Sequence, residues 1–472
     1  MKVNKLAQIF MFFAIFICSL LAIIFLVTNH IMLFLIAFGL CTYISLNKKI
    51  KHFPIILFIT SIVIRLIVVL LLNFPQVTDF SILLEAAKSF AKGNFDFQNT
   101  SYFTTWAYQT GFVIYEGLVL KLFNNVLILK LLNIIYSSTL VVLIYQIGKK
   151  ICTEKSARMA SLLYMIFPFS IYMNTILANH HIATFLTYIG IFLLLKENKK
   201  LKHYILAAIL ISFGNIMRPE GIIIVFAFIL YEIFKLQKGK IKQIIKYTSV
   251  FVVVYLVIGV SASLIITQTG INKQGLKNNN PEWKFVLGLN HDSCGYYNEE
   301  DIMYLSDRKK EREVIKERIM VNPIKMTQLM TCKIDNFWLQ SDISVKHNMY
   351  ITKKINILGM KINFMDIEKI FITFNKLLYL LTLFACLTGI IYNRKKIIKS
   401  SAFFFVILMM VTFGVYLLIE IQPRYAYFIQ VSIFILSTYG YDMLLNKVKA
   451  IYKNIKKKYK RSKKFVLIKY KV

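Results

Sequence analysis

The sequence predicts an all-α polytopic membrane protein with about twelve transmembrane helices (eleven to thirteen), and three observations carry that prediction. Hydrophobic residues make up 57% of the 472-residue chain, and the mean hydropathy is +0.60. Only 17% of residues are charged, against about 25% in soluble domains. The apolar residues come in long blocks, not in the short alternating segments of a transmembrane β-barrel. A disordered chain would be far less apolar. Lys+Arg outnumber Asp+Glu by 58 to 23, a formal +35. A soluble nucleic-acid binder could be this basic but not this apolar, so nucleic acid is not an expected partner.

A crossing needs about 20 apolar residues. Segments of that kind lie at 6–27, 31–46, 54–72, 107–123, 126–147, 158–177, 181–195, 203–217, 221–235, 247–267, 369–392, 400–419 and 424–445. The first follows MKVNK and has no small-residue cleavage site behind it, so it reads as a retained helix, not a signal peptide. Basic clusters at 48–51, 149–158, 196–202, 235–246, 394–399 and 447–471 should all face the cytoplasm. Three crossings between the first two clusters would place them on opposite sides. The weakest of those three segments is 107–123, which holds Gln109, Glu116, Lys121 and two glycines. It is therefore expected as an interfacial helix on the outer surface. Everything else then alternates, with both termini cytoplasmic.

This threading divides the chain into two extra N-terminal helices (1–53), a membrane core (54–267) with a first outer loop at 73–125, an outer lid or acceptor domain (268–366), C-terminal membrane helices (367–445) and a basic tail (446–472). No internal repeat is visible. The outer domain has 15 basic and 12 acidic residues, and the tail 447–471 has 12 basic ones. The positive excess is thus mainly cytoplasmic, and the tail should meet anionic inner-leaflet lipids. Chemistry is sought on the nearly neutral outer face.

In the first outer loop, Phe80, Leu83, Leu84, Ala87 and Ala91 recur at helical spacing, with Gly93 as C-cap. Asp79 stands just before this helix. It reads as an N-cap, as a carboxylate facing a substrate, or as both. Arg65 lies seven residues inside the preceding span, where an Arg costs at least ~2.5 kcal/mol and usually faces a partner or a cavity.

Three further outer turns hold polar side chains. Asn179-His180-His181 ends one turn. Adjacent histidines cannot face one point on a helix, so they read as interfacial residues or sugar contacts rather than a metal pair. Arg218-Pro219-Glu220-Gly221 forms the next; Arg218 and Glu220 could pair, or Arg218 could bind phosphate through its planar fork. Glu420-Ile421-Gln422-Pro423-Arg424-Tyr425 is the last, either an interfacial anchor or part of a site. Loop charge alone places Asp79, Arg218 and Arg424 on one side of the membrane.

In the outer domain, 299–320 carries many charges at i,i+4 and reads as a solvated helix. Trp283, Asn290 and Tyr296 read as packing residues or sugar contacts. The six cysteines include no CxxC; Cys294 and Cys332 share the outer segment and could pair if it is extracellular.

An Arg in an apolar helix, an Asp after a short gap, an amphipathic helix ending in Gly, and an aromatic stretch before a second flat helix opening at Tyr108-Gln109 together resemble the polyprenyl-phosphate-sugar glycosyltransferases of the C superfold. That group includes the protein O-mannosyltransferases and the aminoarabinose transferases. Relatives often have an acidic pair where Thr78-Asp79 stands, and a Pro-Pro motif where Ala107-Tyr108-Gln109 stands.

The resemblance implies a polyprenyl-phosphate sugar as donor. It implies an envelope glycan, teichoic acid or protein hydroxyl as acceptor. Asp79 would be the general base, and Arg65, Arg218, Glu420, Gln422, Arg424 and Tyr425 would lie around the donor phosphate. Tyr108, Gln109, Glu116, His180, His181 and Asn290 become candidate substrate contacts. No cofactor is implied; a lone Asp argues against a dedicated metal site while leaving a divalent ion open. A glycan polymerase or ligase, and a lipid flippase or transporter, are the competing readings.

Overall fold

A computed structural model describes residues 31–47, 50–72, 75–197, 199–236, 241–305, 307–339, 354–357 and 360–469. The expected span 6–27 lies outside them. The described chain is helical apart from one antiparallel hairpin, β1 (Lys354–Ile357) with β2 (Met360–Asn363), in which Ile355 faces Ile362. That hairpin is the one departure from all-α among the described residues.

Among the described residues, five helices are long and apolar enough to cross a membrane: Phe53–Leu71, Val126–Ile151, Ile241–Gln268, Ile370–Lys399 and Pro423–Lys456. Five shorter apolar helices accompany them, at Ile31–Leu46, His180–Leu194, Leu201–Met217, Gly221–Phe234 and Ala402–Leu418. At 1.5 Å per residue these reach roughly 21–26 Å, short of a ~30 Å hydrocarbon core.

Helix α1 (Phe53–Leu71) shows how sequence sets orientation. It starts with Pro54 in its first turn, where a missing N–H costs nothing. Phe53, Leu57, Ser61, Arg65 and Val69, four residues apart, are buried. Ile56, Ile59, Val63, Ile67 and Leu70 on the other face are about half exposed. An apolar exposed face suits lipid, and the inward face carries the polar atoms.

Arg65 points inward, fully buried, and donates to Ser61 Oγ (2.6 Å), the Met165 carbonyl (3.3 Å) and Ser170 Oγ (3.0 Å). It ties α1 to the segment where the expected span 158–177 breaks. That segment is not one helix but α2 (Glu154–Met165), α3 (Pro168–Tyr172) and a 3-10 turn at Met173–Thr175. Pro168 cannot donate to the α2 ladder and clashes with its last turn, so the helix stops and restarts. Phe167 at the break packs on Tyr379 and Phe434.

Elsewhere glycine decides close approach. A side chain at Gly440 in α4 (Tyr427–Lys469) would strike the backbone of Ala385 in α5 (Phe364–Lys399), and one at Gly389 would strike Gly440. These helices therefore cross almost backbone to backbone, a packing that small residues allow in membranes.

After α1, α6 (Asp79–Ala91) packs against α7 (Thr110–Phe123), with Phe90 seated on Gly117. The polar segment after Gln268 is tied to the first loop by Tyr108 N–H to the Lys277 carbonyl (3.1 Å) and Asn279 N–H to the Thr105 carbonyl (3.0 Å). The expected helix 299–320 divides into a 3-10 stretch Glu299–Tyr304 and α8 (Arg308–Ile319). Asp307 starts α8 by accepting from Lys310 N–H.

Candidate functional site around Tyr425

Asp79 is the first residue of α6, not its cap. Thr78 occupies the cap position, and neither side chain makes a capping bond. Thr78 sits at φ 52°, ψ −135°, a region a β-branched residue rarely adopts. Such strain tends to persist where surrounding structure holds a functional group in place. Asp79 is left about half exposed, and its Oδ2 accepts from Arg424 Nη2 at 3.2 Å.

Arg424 comes from a 3-10 turn, Pro423–Ala426, that leads into α4. Its guanidinium lies 5.0 Å from the Phe80 ring centroid and 5.6 Å from that of Tyr425. Tyr425 is the hub. Arg218 stands 4.8 Å from the same ring, and Lys284 stands 5.4 Å from it. Cations are drawn to the negative face of an aromatic ring, so one tyrosine gathers three of them. Each is matched by a carboxylate: Arg218 by Glu220, Lys284 by Glu420 and Arg424 by Asp79. The first two pairs are closed, while Asp79 is the most exposed of the three acids.

Arg218 is positioned by the end of α9 (Leu201–Met217), where Pro219 prevents continuation. Its Nη1 donates to Asn179 Oδ1 (3.3 Å), Asn179 Nδ2 to Gln109 Oε1 (3.2 Å), and Gln109 Nε2 to Tyr102 OH (3.4 Å). This chain of bonds reaches back toward Asp79. Burial first, then the Asp79 carboxylate, pushes the Tyr102 phenol up, which keeps its proton.

Glu420 is almost fully buried. Burial alone would raise its carboxyl, but the Lys284 ammonium outweighs that and holds it below the usual carboxylate value. Lys284 is correspondingly raised, with Glu420 overcoming the effect of burial. Gln422 Nε2 donates to the other Glu420 oxygen at 2.6 Å. The backbone here is clamped. Glu420 N–H donates to the Lys284 carbonyl (2.8 Å) and Ile421 N–H to the Gly295 carbonyl (2.9 Å). Lys333 Nζ donates to the carbonyls of Gly288, Leu417 and Ile419, each at 2.8 Å. A disulfide joins Cys332, beside that lysine, to Cys294.

The sequence-predicted residues therefore divide. Asp79, Arg218, Glu420, Gln422, Arg424, Tyr425, Gln109 and His180 share one neighbourhood, and Tyr108 feels the charges of Lys284, Arg218 and Glu420 there. Arg65 stands apart, spent on Ser61, Met165 and Ser170. His181 is buried, bonded to Tyr427 OH (3.2 Å) and the Met173 carbonyl (2.8 Å). Glu116 is buried within α7.

Asn290, read as a packing residue or a sugar contact, is buried in the structure. It is 3% exposed, donates to Asp301 (2.8 Å) and accepts from the backbone of Asp292 and Ser293. It is a framework residue. Trp283 is likewise buried, at the start of a short helix. Lys284 and Tyr102 belong to the site without having been expected there.

This arrangement places a half-exposed carboxylate on Arg424, with Arg218 on the same Tyr425 ring, in a tyrosine-rich setting. It can accept a proton at Asp79 and hold an anion at Arg218 and Arg424. Residues 111–262 match the family of dolichyl-phosphate-mannose-protein mannosyltransferases. The chain is thus similar, over that segment, to glycosyltransferases that use polyprenyl-phosphate donors, as the resemblance read from the sequence implies. The matched segment holds α7, the histidine turn and the Arg218 turn; Asp79 and Arg424 lie on either side of it. No curated protein sequence matches the chain. Among solved structures, the archaeal oligosaccharyltransferase AglB from Archaeoglobus fulgidus, in complex with an inhibitory peptide and a dolichol-phosphate, pairs with it at 12% identity and a TM-score of 0.48. The alignment covers 87% of this chain and 52% of that one, so the chain spans about half the length of that enzyme. The family match and the apolar helices together mark an integral membrane protein.

Proposed function

We propose that the chain is a membrane glycosyltransferase that moves one sugar from a polyprenyl-phosphate donor to an acceptor hydroxyl at the outer face of the cell membrane. The observation that carries this reading is the shared ring of Tyr425. Arg424 stands between that ring and the half-exposed Asp79, and Arg218 lies on the ring as well.

In this reading the acceptor oxygen attacks the anomeric carbon as the bond to the lipid phosphate breaks. The phosphate leaves with the electron pair, and Asp79 takes the hydroxyl proton. The leaving group is already anionic, so it needs charge stabilisation more than a proton, and Arg218 and Arg424 supply it. Arg424 is the adaptable cation, because its carboxylate partner is solvated and a phosphate can replace it. Lys284 and Glu420 hold Tyr425 in place. One displacement inverts the anomeric centre.

The acceptor is a hydroxyl on an envelope glycan, teichoic acid or protein. Twelve crossings, both termini cytoplasmic and the basic tail on anionic inner-leaflet lipids complete the proposal. The test is transfer by the purified protein from a panel of polyprenyl-phosphate sugars. We expect one donor to be consumed, a product of inverted configuration, and an Asp79→Asn variant that binds that donor without transferring it. Full transfer by Asp79→Asn would remove the general base from the scheme.

A further inference from the structure

His180 opens α10 (His180–Leu194) and is 1% exposed. Neither of its ring nitrogens has a partner among the described residues. Its neighbour His181 has both nitrogens engaged. Buried polar atoms are nearly always hydrogen-bonded, and an exception calls for an explanation such as a bound ion or ligand. The surroundings of His180 say what kind. Its ring stacks on Tyr425, with centroids 6.2 Å apart and planes 19° apart. Arg218 and Arg424, on the same tyrosine, are close enough for their charges to bear on the imidazole.

The first turn of α10 adds the positive end of a 15-residue helix, although of its N–H groups that of His181 already donates to the Ala178 carbonyl (3.3 Å). Asn179, at the cap position, makes no side-chain capping bond and is engaged with Arg218 and Gln109 instead. Two guanidinium groups, an unpaired imidazole and an uncapped helix start converge, and a tetrahedral oxyanion satisfies all of them. Sugar hydroxyls would use the imidazole but not the two cations.

We propose that His180 is a phosphate-binding residue, donating a ring N–H to a non-bridging oxygen of the polyprenyl phosphate held by Arg218 and Arg424 at the start of α10. This rests on the donor class proposed above and adds the residue and the helix end that seat its phosphate. A lipid-borne phosphate is favoured over a free one because the residues that hold it sit at the ends of apolar helices, α10, α9 and α4.

The test is direct binding, not turnover. Purified protein in nanodiscs is titrated with polyprenyl monophosphate, with polyprenol and with inorganic phosphate. The variants are His180→Phe, which keeps a stacking ring without nitrogens, and His180→Gln, which restores an N–H donor; melting temperatures check that each folds. Expected is wild-type binding of polyprenyl phosphate at least tenfold tighter than of polyprenol, a loss of about tenfold for the phosphate alone in His180→Phe, and substantial recovery in His180→Gln. Equal losses for polyprenyl phosphate and polyprenol would make His180 merely structural and overturn the proposal. Unchanged phosphate binding in His180→Phe would overturn it while leaving the donor class intact. Failure of the wild-type protein to prefer polyprenyl phosphate over polyprenol would instead sink the donor class. Inorganic phosphate competing as tightly as the lipid would overturn the lipid-borne occupant.

Discussion

At the scale of single residues, the site rests on few charges, each with a distinct partner. Asp79 is the one acid of the cluster left half exposed, so its substitution should affect reaction before stability. Asp79→Asn should lower transfer by about 10²–10⁴-fold, the usual worth of a general base, with little change in melting temperature. Arg424→Lys keeps the charge but loses the planar fork. It should raise the donor KM about tenfold, in line with the ~1.5–3 kcal/mol of a charged hydrogen bond, as read from initial rates over a donor series.

Much of this site was legible in the sequence because its parts are turn residues with visible neighbours: Arg218 before a Pro, Arg424 after one, Asp79 before an amphipathic helix. Lys284 was not legible. Its partner Glu420 is 136 residues away, and a long-range ion pair leaves no local pattern. For a related reason the sequence could not choose between packing and sugar contact for Asn290. A short polar residue in a turn looks available, yet its amide is used to fold that turn.

At the scale of elements, the segment carrying Glu420 is held by Lys284, by Lys333 and by the Cys294–Cys332 bridge. That bridge closes a separation of 38 residues, and chain-entropy reasoning gives it about 4 kcal/mol. Cys294→Ser should therefore lower the melting temperature, and reductant should shift the wild type but not the variant.

The Lys284–Glu420 pair has a pH signature. The Glu420 carboxyl is lowered in the folded state, so the unfolded chain binds the proton more tightly as acid is added. Its stabilisation is complete above the ordinary value of 4.5 and is lost as pH falls through the lowered one. Melting temperatures should fall on acidification below about pH 4.5. Glu420→Gln should flatten that fall, although it also leaves Lys284, 32% exposed, without its carboxylate partner.

The helix break at Pro168 was present in the sequence but hidden by an unbroken apolar run. Hydropathy reports depth in a bilayer and not continuity of a helix, which depends on the backbone donor that proline lacks.

At the scale of the whole molecule, composition alone declared a helical membrane protein, because 57% hydrophobic residues in long blocks have few other solutions. The number of crossings is less direct. Helices of 14–17 residues can cross only where the bilayer thins or neighbouring residues extend them. The basic clusters predict sidedness independently of length. A cysteine at Lys309 should react with a membrane-impermeant maleimide in intact cells, and one at Lys453 should react only after lysis, in a background lacking Cys18, Cys41, Cys152 and Cys386. Labelling of Lys453→Cys in intact cells would invert the assignment and move Asp79 to the cytoplasm.

The joint role of the Tyr425 neighbourhood is tested most directly by measuring donor binding and sugar transfer side by side on one polyprenyl-phosphate sugar. Three proteins are compared: wild type, Asp79→Asn and the double variant Arg218→Ala/Arg424→Ala. A shared site predicts that Asp79→Asn binds the donor within about threefold of wild type while transfer falls at least about 100-fold, and that the double variant loses binding and transfer together. Asp79→Asn transferring at the wild-type rate, or the double variant binding donor as well as wild type, would contradict it.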